Sequence, residues 1–138
     1  MLADGARDKQ TGPMTVDELR ALLLDLPEAV EEEPFGPGVL VYKVAGKVFA
    51  IMPEDPGDGP PEVTLKCDPE WAIELRDEHP AVRPGYHTNK RHWNTVTVDG
   101  SVPRDELIEM MEHSYERVVA SLPRSERERL LLLTRGDR

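Results

Sequence analysis

Aromatic side chains are scarce in this 138-residue chain: two Trp, three Tyr and two Phe. Its core must therefore be built mostly from aliphatic residues. The single cysteine, Cys67, excludes an internal disulfide and suits a reducing compartment. No apolar run approaches the length needed to span a bilayer, and the opening residues MLADGARDKQTGP lack the apolar stretch of a secretory signal. Positive charge is in deficit, with 17 Lys and Arg against 27 Asp and Glu, a formal net charge of −10. That balance opposes non-specific binding to nucleic acid or anionic membrane, so any nucleic-acid role requires a local basic patch. Also missing are a Ser/His/Asp ordering, a Gly-rich phosphate loop and a paired-carboxylate signature. The expectation is a soluble cytoplasmic protein, non-enzymatic, without cofactor or metal and without membrane association. A chain of this length fits one domain and can bury roughly two-thirds of its unfolded surface.

One absence is local. From His79 to Val98 the sequence HPAVRPGYHTNKRHWNTVTV contains no Asp or Glu. The segment holds Arg83, Lys90 and Arg91, three of the four His (His79, His87, His92), and Tyr86 and Trp93. A stretch so cleared of negative charge in an acidic chain marks a surface of different character, and functional residues are sought there.

The elements follow from caps and periodicity. Residues 1–13 read as a disordered tail. Thr15 and Glu18 form a capping box ahead of Val16, Leu19, Leu22, Leu23 and Leu26 at helical spacing, and Pro27 stops that helix. Glu31, Glu32, Glu33 and Pro34 read as a solvated acidic connector. VLVYKV (39–44) and KVFAIM (47–52) are strands joined by an Ala45-Gly46 hairpin turn. The Pro/Gly/acid-rich stretch 53–62 is a mobile loop, and EVTLKC (62–67) is the third strand. Asp68 caps a second helix with Pro69 in its first turn, and the helix ends at His79-Pro80. Two further strands, about Val82–His87 and His92–Val98, flank a turn at Thr88–Arg91. A third helix opens near Ser101 and Pro103 and runs through Leu107, Ile108, Met111, Tyr115, Val118, Val119 and Leu122 to Pro123. Ser125 and Glu128 offer a capping box to a short C-terminal helix whose four leucines (130–133) dock on the body or on a partner.

The expected fold is α+β, a two-layer sandwich of order α-β(3)-α-β(2)-α. An antiparallel five-stranded sheet is covered by helices on one face and open on the other. A domain over 14–123 carries a helical extension over 124–138.

Strand alternation puts Trp93, Thr95 and Thr97 on the open face and Asn94, Val96 and Val98 on the core side. Trp93 beside Lys90 and Arg91 can stack a base or anchor a peptide; it can equally plug the sheet edge. Lys66 and Thr64 extend the same face, as does Arg83. Lys66, Arg83, Lys90 and Arg91 would supply three or four phosphate contacts, each contributing a slope of about −0.9 in log K against log salt. Asn94 needs hydrogen-bond partners if buried, and the backbone near Tyr86 is the expected one. Tyr115 belongs to the core, its hydroxyl reaching the surface or a sheet carbonyl. His87 and His92 flank the turn, but two His without a third convergent ligand make a poor metal site. Cys67 reads as a small buried hydrophobe.

The runs PGYHTNKRHWNTV and HSYERVVASLP, with TVDELRALLLDLPEAVEE, VYKVAGKVFAIM and VTLKCDPEWAIELRDEHPAV, resemble the MmcQ/YjbR family of small bacterial proteins. The resemblance covers about Met14 to Pro123, and Lys90, His92, Trp93, Asn94 and Val96 are its most specific part. It implies the α-β(3)-α-β(2)-α sandwich, similar to secretion-chaperone-like and frataxin-like folds. It also implies DNA binding, a label the family carries on the ground of wing-like hairpins. The first expectation is thus weak, salt-sensitive DNA binding through the hairpin 83–93, involving Lys66, Arg83, His87, Lys90, Arg91, His92, Trp93 and Asn94. The second is a protein-binding adaptor using the open sheet face or the C-terminal helix, as a monomer or weak dimer.

Overall fold

The computed structural model describes residues 13–85 and 88–136. The expected tail over 1–13 therefore lies outside the described residues except for Pro13. Helix α1 spans Val16–Leu24. The Thr15 hydroxyl accepts the Glu18 amide at 3.1 Å and a Glu18 carboxylate oxygen accepts the Thr15 amide at 2.9 Å, so the capping box closes as its residue types dictate.

Among the described residues six strands follow, not five: β1 Val30–Glu32, β2 Val39–Val44, β3 Lys47–Pro53, β4 Glu62–Lys66, β5 Val82–Pro84 and β6 Trp93–Thr97. They form one antiparallel sheet in the order β1-β2-β3-β4-β6-β5. The added strand is the stretch expected to be an acidic connector. Glu31 pairs opposite Tyr42, whose hydroxyl donates to it at 2.6 Å, while the Arg20 guanidinium donates two bonds at 3.0 and 2.9 Å. Burial works against the Glu31 carboxylate. The hydrogen bonds from Arg20 and Tyr42, with the Arg20 charge, outweigh it and hold its pKa below the ordinary value. Glu32 pairs with Lys43 at 2.9 Å. A short, acid-bearing edge strand also resists pairing with other sheets.

Ala45 and Gly46 adopt φ of 50° and 79°, the left-handed pair that a two-residue hairpin turn requires. Helix α2, Pro69–Glu78, starts under Asp68, whose carboxylate accepts the amides of Glu70 and Trp71. Helix α3 spans Arg104–Ala120 and α4 Arg124–Gly136.

One face of the sheet, carrying Leu40, Tyr42, Val44, Phe49, Met52, Val63, Leu65 and Val96, packs with Leu19 and Leu23 of α1, Ala72 and Leu75 of α2, and Leu107, Met111, Tyr115 and Val118 of α3 into one core. The Tyr115 hydroxyl donates to the Pro27 carbonyl at 2.8 Å, so it ties α3 to the turn after α1 instead of to the sheet. The expected Ser125 cap of α4 is absent among the described residues, and Glu128 pairs with Arg124 at 3.1 Å. Leu130 is fully buried, whereas Leu132 is 67% exposed.

Candidate functional site

The second sheet face is set by register. Thr64 stands opposite both Ile51 and Thr95, Lys66 opposite Trp93, Glu62 opposite Thr97, and Arg83 opposite Thr95 from the other side. Directly opposed residues share a face, so Lys66, Trp93 and Arg83 lie on one surface, away from the helices. The Thr64 and Thr95 hydroxyls bond each other at 2.8 Å. Arg83 lies along this surface, donating at 2.7 Å to the Thr97 hydroxyl and at 2.7 Å to Glu62. Its charge is thus already matched, and it supplies no unpaired cation.

The chain between β5 and β6 is held from several sides. The Gly85 amide donates to the Trp93 carbonyl at 2.8 Å, and the His92 carbonyl accepts from Cys67 at 2.8 Å. The Arg91 amide donates to the Asn89 side-chain oxygen at 3.0 Å, and the Lys90 ammonium to the Gly85 carbonyl at 3.1 Å. Arg76, in the last turn of α2, reaches across. It donates to the Asn94 side-chain oxygen at 2.7 Å, to the Trp93 carbonyl at 3.4 Å and to the Lys90 carbonyl. Asn94 is buried and its amide donates to the Ala72 carbonyl at 3.5 Å. Its side-chain partners among the described residues are therefore on α2, and the expected contact near Tyr86 lies outside the described residues.

Lys90 is the shared wall of two open clefts. One, of about 560 Å³, is lined by Pro69, Glu70, Ile73, Arg76, Lys90 and Arg91. The other, of about 510 Å³, is lined by Glu62, Arg83, Pro84 and Lys90. Most other described cations are neutralised: Arg83 within the site, and Arg20, Lys43, Arg104, Arg117, Arg124 and Arg129 outside it, sit in ion pairs with carboxylates. Of the described Lys and Arg side chains without a carboxylate partner, Lys66, Arg76, Lys90 and Arg91 belong to the β4–α2–β6 region, and only Lys47 and Arg127 lie elsewhere.

Tyr86 and His87 lie outside the described residues, so the expected approach of His87 to His92 is not part of this geometry. His92 is half-buried. Cys67 is buried, and burial, then the neighbouring Asp68 charge, push its thiol up to about 12, which opposes the thiolate a metal would need. A His/carboxylate cluster occurs elsewhere: donor atoms of Glu78, His79 and Glu106 lie within 4.8 Å of one another, with His79 Nε2 at 2.8 Å from Glu106. That contact joins the end of α2 to the first turn of α3 as a side-chain hydrogen bond.

Arg76 and Ile73 escaped the sequence reading. The signal was present, since Ala72 and Leu75 face the core while Ile73 and Arg76, three residues apart, share the other side of α2. Ile73 is 63% exposed.

Comparison with known proteins places this architecture. The YjbR family model matches residues 24–117. The chain is 36% identical over 120 residues to the uncharacterized protein YjbR of Escherichia coli K12, covering 87% of this chain and all of that one. It is 32% identical to uncharacterized protein YbdF of Escherichia coli O157:H7, over 80% of this chain and 89% of that one. A crystal structure of a Deinococcus radiodurans protein with a DUF419 domain superposes with a TM-score of 0.79 at 41% identity, covering 88% of this chain and 91% of that one. A Pseudomonas syringae protein superposes with a TM-score of 0.63 at 25% identity, covering 73% and 96%. On the family match, the identity to curated relatives and the shared fold, this chain belongs to the YjbR family.

Proposed function

We propose that the protein is a non-catalytic nucleic-acid-binding module that grips phosphates with the cations around the β5–β6 connection. The observation that carries this reading is the segregation of charge: an acidic protein leaves Lys66, Lys90 and Arg91 without carboxylate partners among the described residues at one end of its sheet. Arg76 holds the connection in shape, and Arg83 is already matched by Glu62. Three available cations support a slope in log K against log salt of about −2.7 on a duplex or about −2.1 on a single strand, which is weak, salt-sensitive binding. Fluorescence anisotropy of labelled DNA at low and physiological salt tests it. Binding at low salt should fall steeply with salt and vanish in the Lys90→Glu/Arg91→Glu variant. No binding at low salt would overturn the reading.

A second reading, a protein-binding adaptor, is favoured by the apolar surface of α4, where Leu131, Leu132 and Leu133 remain exposed beside the buried Leu130. It locates the partner contact on α4 and makes the charge of the β5–β6 connection irrelevant to it.

A further inference from the structure

We infer that the nucleic acid taken by this surface is single-stranded, with one base in each of the two clefts and the linking phosphodiester over Lys90 and Arg91; this rests on the nucleic-acid reading above. The two clefts meet at one side chain, Lys90. Each has a volume within the range of ~300–1,000 Å³ typical of small-ligand sites. A duplex is stiff over about 150 base pairs, so seating its bases on both sides of a ridge one side chain wide would require kinking and unpairing it. A single strand can splay two bases to either side of it.

The lining fits bases better than backbone. The first cleft is lined by the exposed Ile73 and the half-buried Pro69, and the second by the exposed Pro84. These are apolar surfaces against which a base face loses water. Each cleft also carries a carboxylate, Glu70 in one and Glu62 in the other. A duplex would bring its paired phosphate backbones against those carboxylates. In a single strand the unpaired amino groups of the bases are free to donate to Glu70, and to the Glu62 carboxylate on the side that Arg83 leaves open. The ammonium and guanidinium at the ridge then meet the phosphate between the two bases.

Anisotropy with the full chain at low salt separates the possibilities. The probes are a short labelled DNA strand of mixed sequence and the same strand annealed to its complement, tested against the parent and the Ile73→Ser variant. Ile73 is exposed and outside the core, so the variant keeps the fold. The expected result is single-strand affinity about fivefold or more above duplex affinity, the order expected when a base covers part of one exposed isoleucine side chain. Ile73→Ser should remove most of that difference and leave duplex binding unchanged. Duplex binding equal to or tighter than single-strand binding overturns this inference while leaving the nucleic-acid reading intact. A single-strand preference untouched by Ile73→Ser overturns the placement of bases in the clefts. Absence of binding to either probe overturns both.

Discussion

Gly85 is the residue on which the geometry of the β5–β6 connection turns. A methyl group there would sit 2.3 Å from the Thr88 hydroxyl and 2.8 Å from the Trp93 Cβ. Its amide and carbonyl meanwhile hold Trp93 and Lys90. Gly85→Ala should therefore destabilise by about 1–3 kcal/mol, as overpacking does. Urea denaturation measures it, and an unchanged midpoint would mean that the connection yields freely. At this scale much was legible in the sequence. The shared face of Trp93, Thr95 and Thr97, and that of Thr64 with Lys66, follow from a period of two. The neutralisation of Arg83 did not, because Glu62 lies on another strand and only the register of β4, β6 and β5 brings them together. Asn94 had to be satisfied somewhere, yet its partner, Arg76, was invisible to strand parity.

Among the elements, α4 and β1 carry the clearest lessons. The leucine run of α4 is divided by helical geometry: Leu130 is enclosed and Leu132 points outward. Leu130→Ala should cost about 2–5 kcal/mol, whereas Leu132→Ala should stay within about 0.5 kcal/mol. Thermal or chemical denaturation of the two variants reads the contrast, and equal effects would mean that α4 does not dock as described. Arg129, bonded to Glu28, fastens the same helix beside the turn after α1. Strand β1 hid behind three consecutive glutamates. Its pairing depends on Arg20 and Tyr42, which convert Glu31 from a solvated charge into a partly buried, hydrogen-bonded one.

For the whole molecule the consequence of so many carboxylates is a dependence on pH. The His113 ring accepts the Asp68 amide at 3.0 Å and meets Trp71 edge to face, with centroids 4.6 Å apart. Burial, then the charge of Arg117, lower its pKa, so the fold holds it neutral. A folded pKa below the unfolded one gives a stabilisation that is full above about pH 6.5 and lost as pH falls through the folded value. Glu31 has the same sign in a lower window. Its contribution is present above about pH 4.3 and lost as pH falls through its depressed folded pKa. Stability should therefore fall on acidification in two stages. Denaturant midpoints across the acid range should show His113→Gln flattening the upper stage and Glu31→Gln the lower. A midpoint independent of pH down to the carboxylate range would contradict the upper stage.

Local chemistry determined most of the elements from the sequence alone. The Thr15 box, the Asp68 cap, the Ala45-Gly46 turn and the alternation of β6 each depend on residues a few positions apart, where spacing is a sufficient guide. Tertiary structure decided the rest. Which strand borders the sheet, which cation is neutralised and which remains available, and where Asn94 finds its partner depend on contacts such as Tyr42 with Glu31, Arg83 with Glu62 and Arg76 with Asn94. Those pairs are separated along the chain and meet only once helices and sheet have packed, so no local pattern encodes them.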